Sequence, residues 1–201
     1  MPNVIPGDTL SSYYDAQLKR DVVKHKPGEF YATTRPLVIA TVLGSCVAAC
    51  IRDAARGGAG MNHFMLPHHK DGHSGSADGA STRYGVFAME SLINEFVKRG
   101  SQRRDLEAKV FGGAAVMDAL LADVGAQNAE FVRHYLKVEG IRVSATDLGG
   151  LMPRKVLLFV EDGSVKVKYL GRLTNDTIER REEEYARALE AGVKPPPVEL
   201  F

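Results

Sequence analysis

The stretch PLVIATVLGSCVAACIRD, residues 36–53, is apolar almost throughout and is interrupted only by Gly44. DAARGG follows with turn chemistry, and then AGMNHFMLP, a second apolar segment. Two β-rich apolar runs flanking turn residues predict a buried β-hairpin, around which the rest of the chain must pack. Inside the first run, Gly44-Ser45-Cys46 sets a cysteine behind two small residues. Glycine there permits a bulge that aims a side chain out of the sheet and frees backbone N–H groups to hold an oxyanion. Across the turn, His63 stands in the otherwise apolar MNHFML. Alternation puts Ala48 and Cys50 on the face of Cys46, and Met61 and Met65 on the face of His63. A hairpin closing near Ala54-Ala55 sets Cys46 and His63 directly opposite, with Cβ atoms about 4.5–5.5 Å apart. A slip of one residue would send them to opposite faces.

An imidazole beside a thiol can take its proton, giving thiolate at neutral pH, and the imidazolium can then protonate a departing amine. The pair therefore predicts a cysteine hydrolase, with Cys46 as nucleophile and His63 as base. The structural alternatives are a small buried hydrophobe at Cys46 and a hydrogen-bonded core histidine at His63.

With 201 residues the chain can bury one core, and 44% apolar with 25% charged residues is the balance of an ordinary globular domain. A net charge of +1 argues against a broad electrostatic footprint for nucleic acid or an acidic membrane. No segment approaches the roughly 18 apolar residues of a membrane span, and MPNVIPGDTLSSYYDAQ lacks the features of a secretory signal. A cytoplasmic protein is expected, with Cys46 and Cys50 as free thiols. In an extended strand, residues four apart lie about 13 Å from each other, beyond disulfide reach.

Residues 1–35 carry Pro2, Pro6 and Pro27 without sustained periodicity and are expected to form an irregular leader. Residues 36–172 should hold the folded domain, and 173–201 a peripheral charged helix with the tail Pro195-Pro196-Pro197. HHKDGHSGSADGASTR reads as a polar loop. YGVFAMESLINEFVKRG and AQNAEFVRHYLKVEG read as amphipathic helices ending at Gly100 and Gly140. LEAKVFGGAAV reads as a buried strand running into Gly112-Gly113. IRVSATDLGG and RKVLLFVEDGSVKVKYL supply further strands, with a type I′ turn at Asp162-Gly163. The expected whole is a mixed α/β domain with a hairpin-rich sheet and helices packed against it.

TVLGSCVAACIRD, GMNHFMLP, YGVFAMESLINE, KVFGGAAVM and VGAQNAEFV, in that order, resemble the CheD family of chemoreceptor glutamine deamidases over about residues 37–170. The resemblance implies a layered α/β/β sandwich with two main helices, similar to the bacterial cytotoxic necrotizing factor deamidases, and a Cys/His/Thr catalytic group. The family's nucleophile falls on Cys46 and its histidine on His63. Its threonine stands six residues before the cysteine, where this chain has Ala40; Thr41 stands five before. In an unbroken strand Thr41 faces away from Cys46, so it joins the site only if the chain bulges near Gly44; a backbone carbonyl could orient His63 instead. Backbone N–H groups around Gly44, Ser45 and Cys46 would hold the oxyanion. The implied substrates are glutamines of methyl-accepting chemotaxis receptors, with the phosphatase CheC as a further partner and no cofactor or metal.

Other readings attach to single features. His68, His69 and His73 with Asp71 suggest either a metal site or a polar rim contacting substrate. Gly112-Gly113 marks a tight turn or close packing rather than a phosphate loop. Cys50 is expected to pack in the core. An adaptor docking on receptors or CheC without activity, and a cysteine protease or transglutaminase, are the competing functions.

Overall fold

The computed structural model describes residues 10–66, 79–116, 122–171 and 175–190. Among them, ten strands form two five-stranded sheets, accompanied by three α-helices. The first sheet has the order β1-β2-β4-β9-β10, from β1 (Ser11–Asp15), β2 (Arg20–Lys24), β4 (Val38–Leu43), β9 (Arg154–Phe159) and β10 (Val165–Tyr169). The second has the order β3-β6-β5-β7-β8, from β3 (Phe30–Thr33), β6 (Ala59–Asn62), β5 (Val47–Asp53), β7 (Leu106–Gly112) and β8 (Arg142–Leu148). The helices are α1 (Gly79–Val97), α2 (Ala122–Val138) and α3 (Asn175–Glu190).

Strand β5 explains why its segment is apolar without alternation, because both of its faces are covered. Val47, Ala49 and Ile51 pack with Met89, Leu92, Ile93 and Phe96 of α1 and with Val132 and Leu136 of α2. Ala48 and Cys50 pack, with Met61 and Phe111, against Ile39, Leu43, Val156 and Leu158 of the first sheet. Helices α1 and α2, the second sheet and the first sheet are therefore successive layers, with a core on each side of β5. Leu92, Ile93 and Phe96 are essentially fully buried, each worth about 1.5–3 kcal/mol in area removed from water.

Several expectations are corrected. The residues expected to be an irregular leader contribute β1, β2 and β3; Val22 and Val23 of β2 pair in parallel with Val38 and Ile39 of β4. The run 36–53 is two strands in different sheets, parted at Gly44-Ser45-Cys46. The hairpin β5–β6 does form, but Cys50 pairs with Met61 and Val47 bridges Phe64. Cys46 is thus level with Met65 rather than with His63. The offset is even, so both side chains keep the same face. Helix α1 begins at Gly79, taking in residues that composition assigned to a loop. Gly163 turns β9 into β10 with φ 68°, but Asp162 has no positive φ, so the turn is not type I′. His68, His69, His73 and Asp71 lie outside the described residues, as does the proline tail. No described helix is long and apolar enough to cross a membrane.

Candidate active site

Gly44, Ser45 and Cys46 carry the chain from one sheet to the other, and their carbonyls are all held from behind. The Gly44 carbonyl accepts from the Ala114 N–H at 2.8 Å and the Cys46 carbonyl from the Gly113 N–H at 2.8 Å. Between them, Asn128 Nδ2 of α2 donates to the Ser45 carbonyl at 2.9 Å. In a trans peptide the N–H points opposite to its own carbonyl. Pinning the Gly44 and Ser45 carbonyls therefore turns the Ser45 and Cys46 N–H groups to the other side, where the Gly44 N–H joins them. Such a cluster is an anion-binding nest.

Gly112 makes the close backing possible: its φ is 110°, and a Cβ there would lie 2.1 Å from the Cys46 carbonyl oxygen. The Gly112-Gly113 pair thus serves close packing, as the sequence suggests, and its partner is the cysteine loop.

The nest is filled from α3. Glu182 Oε1 accepts from the Gly44 N–H at 2.8 Å and the Cys46 N–H at 3.3 Å. Glu182 Oε2 accepts from the Ser45 N–H at 2.8 Å and from Ser45 Oγ at 2.7 Å. Helix α3 is therefore not peripheral, and Glu182 is fully buried.

Thr41 fixes the state of His63. Its hydroxyl donates to the His25 carbonyl at 3.1 Å, which uses its one proton. Toward His63 Nδ1, 2.8 Å away, Thr41 Oγ1 must then accept, so Nδ1 carries the hydrogen and Nε2 is left with its lone pair. His63 Nε2 is buried and makes no hydrogen bond among the described residues. Cys46 Sγ, a ring nitrogen of His63 and a carboxylate oxygen of Glu182 all lie within 4.8 Å of one another. A proton acceptor thus stands near the thiol. Read as a metal set the three donors fit poorly, because both Glu182 oxygens are committed to N–H and O–H groups that would face a cation.

Thr41 reaches this point because the chain changes sheets. Ile39 and Leu43 share its side of β4 and face the second sheet, whereas Ala40 packs on the outer face with Val22 and Val38. The offset from the family spacing therefore brings the threonine inward. Replacing Thr41 by Val should release the ring from its fixed tautomer, read as changed nitrogen NMR shifts of His63, with Thr41→Ser restoring the wild-type shifts. Equal His63 shifts in the Val and Ser variants would show that the hydroxyl does not orient the ring.

Burial, and then the Glu182 carboxylate, push the Cys46 thiol well up. Burial, then Arg181 and His25, push the His63 imidazole well down. With Glu182 in place the pair is thus neutral, not the thiolate expected at neutral pH. Burial lowers His25 to about 3, and among the described residues neither of its ring nitrogens has a hydrogen-bond partner. A histidine held neutral in the fold and protonated in the unfolded chain costs stability as pH falls below its ordinary value near 6.5. For His25 the loss between pH 7 and pH 5 is about 2 kcal/mol, and His63 acts in the same direction. Chemical denaturation at the two pH values should find this loss, reduced in His25→Phe; an unchanged slope in that variant would contradict it.

Cys50 is a buried free thiol in the core between the sheets, and burial raises it. His25, Asn128 and Glu182 are the site residues that the sequence reading missed. Asn128 sits in the quoted VGAQNAEFV, fully buried on an amphipathic helix, also accepting from the Leu66 N–H at 2.8 Å; a polar residue on an apolar face was the available signal.

A thiol, an imidazole and a threonine hydroxyl gathered beside converging backbone N–H groups, between two sheets and under helices, define a mixed α/β protein with a cysteine–histidine centre. The chain belongs to the CheD family. Residues 65–169 match the family described as CheD chemotactic sensory transduction, a span that begins just beyond His63. A protein of Herminiimonas arsenicoxydans, "Probable chemoreceptor glutamine deamidase CheD", is 51% identical over 190 residues, covering 94% of this chain and 93% of its own. One of the same description from Janthinobacterium sp. (strain Marseille) is also 51% identical, with the same coverage. Among solved structures, the hypothetical protein YfiH of Bacillus licheniformis is similar at a TM-score of 0.39 with 18% identity, over 59% of this chain and 49% of that one.

Proposed function

We propose that the chain is a chemoreceptor glutamine deamidase in which Cys46 is the nucleophile, His63 the acid and base, and Thr41 a positioning residue. The observation that carries this reading is the Thr41–His63 hydrogen bond at 2.8 Å, which holds in place a ring with a nitrogen within 4.8 Å of Cys46 Sγ, beside a nest of N–H groups. The names of the relatives, chemoreceptor glutamine deamidases, support the substrate class.

His63 Nε2 takes the thiol proton, and the sulfur bonds to Cδ of the substrate glutamine. The carbonyl electron pair moves to oxygen, where the Gly44 and Cys46 N–H groups meet it, worth on the order of 3 kcal/mol per donor. The C–N bond then breaks, and nitrogen leaves as ammonia with the proton from His63. Water gives a proton to Nε2 and adds to the thioester, and collapse returns the thiolate. The balance is amide plus water to carboxylate plus ammonium.

Chemoreceptors are cytoplasm-facing helical proteins in this reading, so the enzyme works in the cytosol, with CheC as a candidate partner. The likeness to cytotoxic necrotizing factors belongs to the same reading, and superposition tests it. Functionally, a receptor cytoplasmic fragment should release ammonia with the protein present, and hydroxylamine should divert the same glutamines to hydroxamates. Binding of the fragment without ammonia release would instead make the protein a receptor-docking adaptor.

A further inference from the structure

Glu182 is a glutamate side chain, presented by a helix, with its carboxylate in the nest beside Cys46 and His63. That is the chemical form in which the product of glutamine deamidation would leave. Its neighbours Glu183 and Glu184 are exposed, so Glu182 alone of this acidic run is sealed from water. The seat around it is shaped for a helix. A Cβ on Gly44 would stand 2.7 Å from Glu182 Oε2, and one on Gly28 would stand 2.8 Å from the Tyr185 hydroxyl, so both glycines make room for α3. Tyr185 hydrogen-bonds Tyr84 of α1, and Arg181 donates to the Val42 carbonyl at 3.4 Å. Ile178 is buried, and Tyr185, Ala186 and Leu189 pack on the core between the sheets. Relative to Glu182 these positions are −4, +3, +4 and +7, one face of a helix.

Resting on the deamidase reading, we infer that α3 occupies the substrate seat as a built-in product analogue, and that the substrate is a glutamine on a helix with apolar residues at −4, +3 or +4, and +7. Substrate must displace α3. While α3 is seated, Cys46 is fully buried and its thiol is held in the protonated form by burial and by the Glu182 charge. Every group meeting the carboxylate is a donor, so the seated product form is favoured over an amide.

The full-length chain provides its own test. In Glu182→Gln, the side-chain amide at position 182 lies where the substrate amide would lie. Cys46 should convert it, with water consumed and ammonium released, at a rate per molecule that does not depend on protein concentration. Mass spectrometry of the peptide carrying position 182 reads the conversion, and Glu182→Gln combined with Cys46→Ala should keep the amide. In Glu182→Ala, the KM for a receptor cytoplasmic fragment should fall by about tenfold if α3 is seated in about nine molecules of ten.

An amide that persists at position 182 while the same protein converts the receptor fragment overturns the inference and leaves the deamidase reading standing. A KM unchanged by Glu182→Ala, or a conversion rate that rises with protein concentration, also overturns it. If wild type converts no receptor glutamine and the variant leaves position 182 unconverted, the deamidase reading falls, and the inference falls with it.

Discussion

Cys46→Ala is expected to abolish conversion of receptor glutamines, reducing the rate by about 10⁴-fold or more, because the proposed mechanism forms its acyl intermediate on the Cys46 sulfur. The fold should survive. Cys46 is fully buried beside Gly113, and removing one sulfur atom leaves both backbone hydrogen bonds of the loop intact. A Tm close to that of wild type, with no glutamate formed, is the predicted pair of results. Cys46→Ser should be nearly as inactive, since His63, pushed down by burial, is a weak base for an alcohol. Ala and Ser variants that retain a tenth or more of the wild-type rate would remove the cysteine from the mechanism.

Gly112→Ala should give the largest loss of stability. Two penalties add at one residue: a φ of 110°, which L side chains rarely adopt, and a Cβ 2.1 Å from the Cys46 carbonyl oxygen, a backbone atom without room to retreat. Relieving the clash must move either β7 or the cysteine loop, and the loop movement would break the Gly113 N–H bond to the Cys46 carbonyl and displace the adjoining nest. A loss of about 3 kcal/mol, or roughly 10 °C in Tm, is expected together with a fall in kcat. Gly171→Ala is the control, because a Cβ there meets nothing within 4 Å. Equal Tm values for the two variants would contradict the argument.

How much of this was legible in the sequence depends on how far each contact reaches along the chain. The hairpin β5–β6 and the shared face of Cys46 and His63 follow from strand alternation, which survives the two-residue error in register. For Thr41 alternation alone points the wrong way, because it holds within one strand and the chain leaves its sheet between Leu43 and Val47; a break near Gly44 is the condition under which the sequence admits Thr41 to the site. No local pattern announces that crossing; Gly44-Ser45 only permits it. His25 was hidden in a segment whose prolines disguised β2, and it acts through its backbone carbonyl, which no residue type reveals. Glu182 is one acid among six in a charged helix, and what singles it out is a set of backbone donors 136–138 residues away in sequence. Asn128 acts at a separation of 83 residues.

The most direct measurement is the mass of the protein itself during turnover. Wild type mixed with a helical glutamine peptide and quenched in acid should show a peptide adduct, less one ammonia, on the proteolytic fragment that carries Cys46, and hydroxylamine should strip it. An adduct confined to another residue, or steady conversion of the peptide with no adduct at any time after mixing while Cys46→Ala still turns over, would contradict the account.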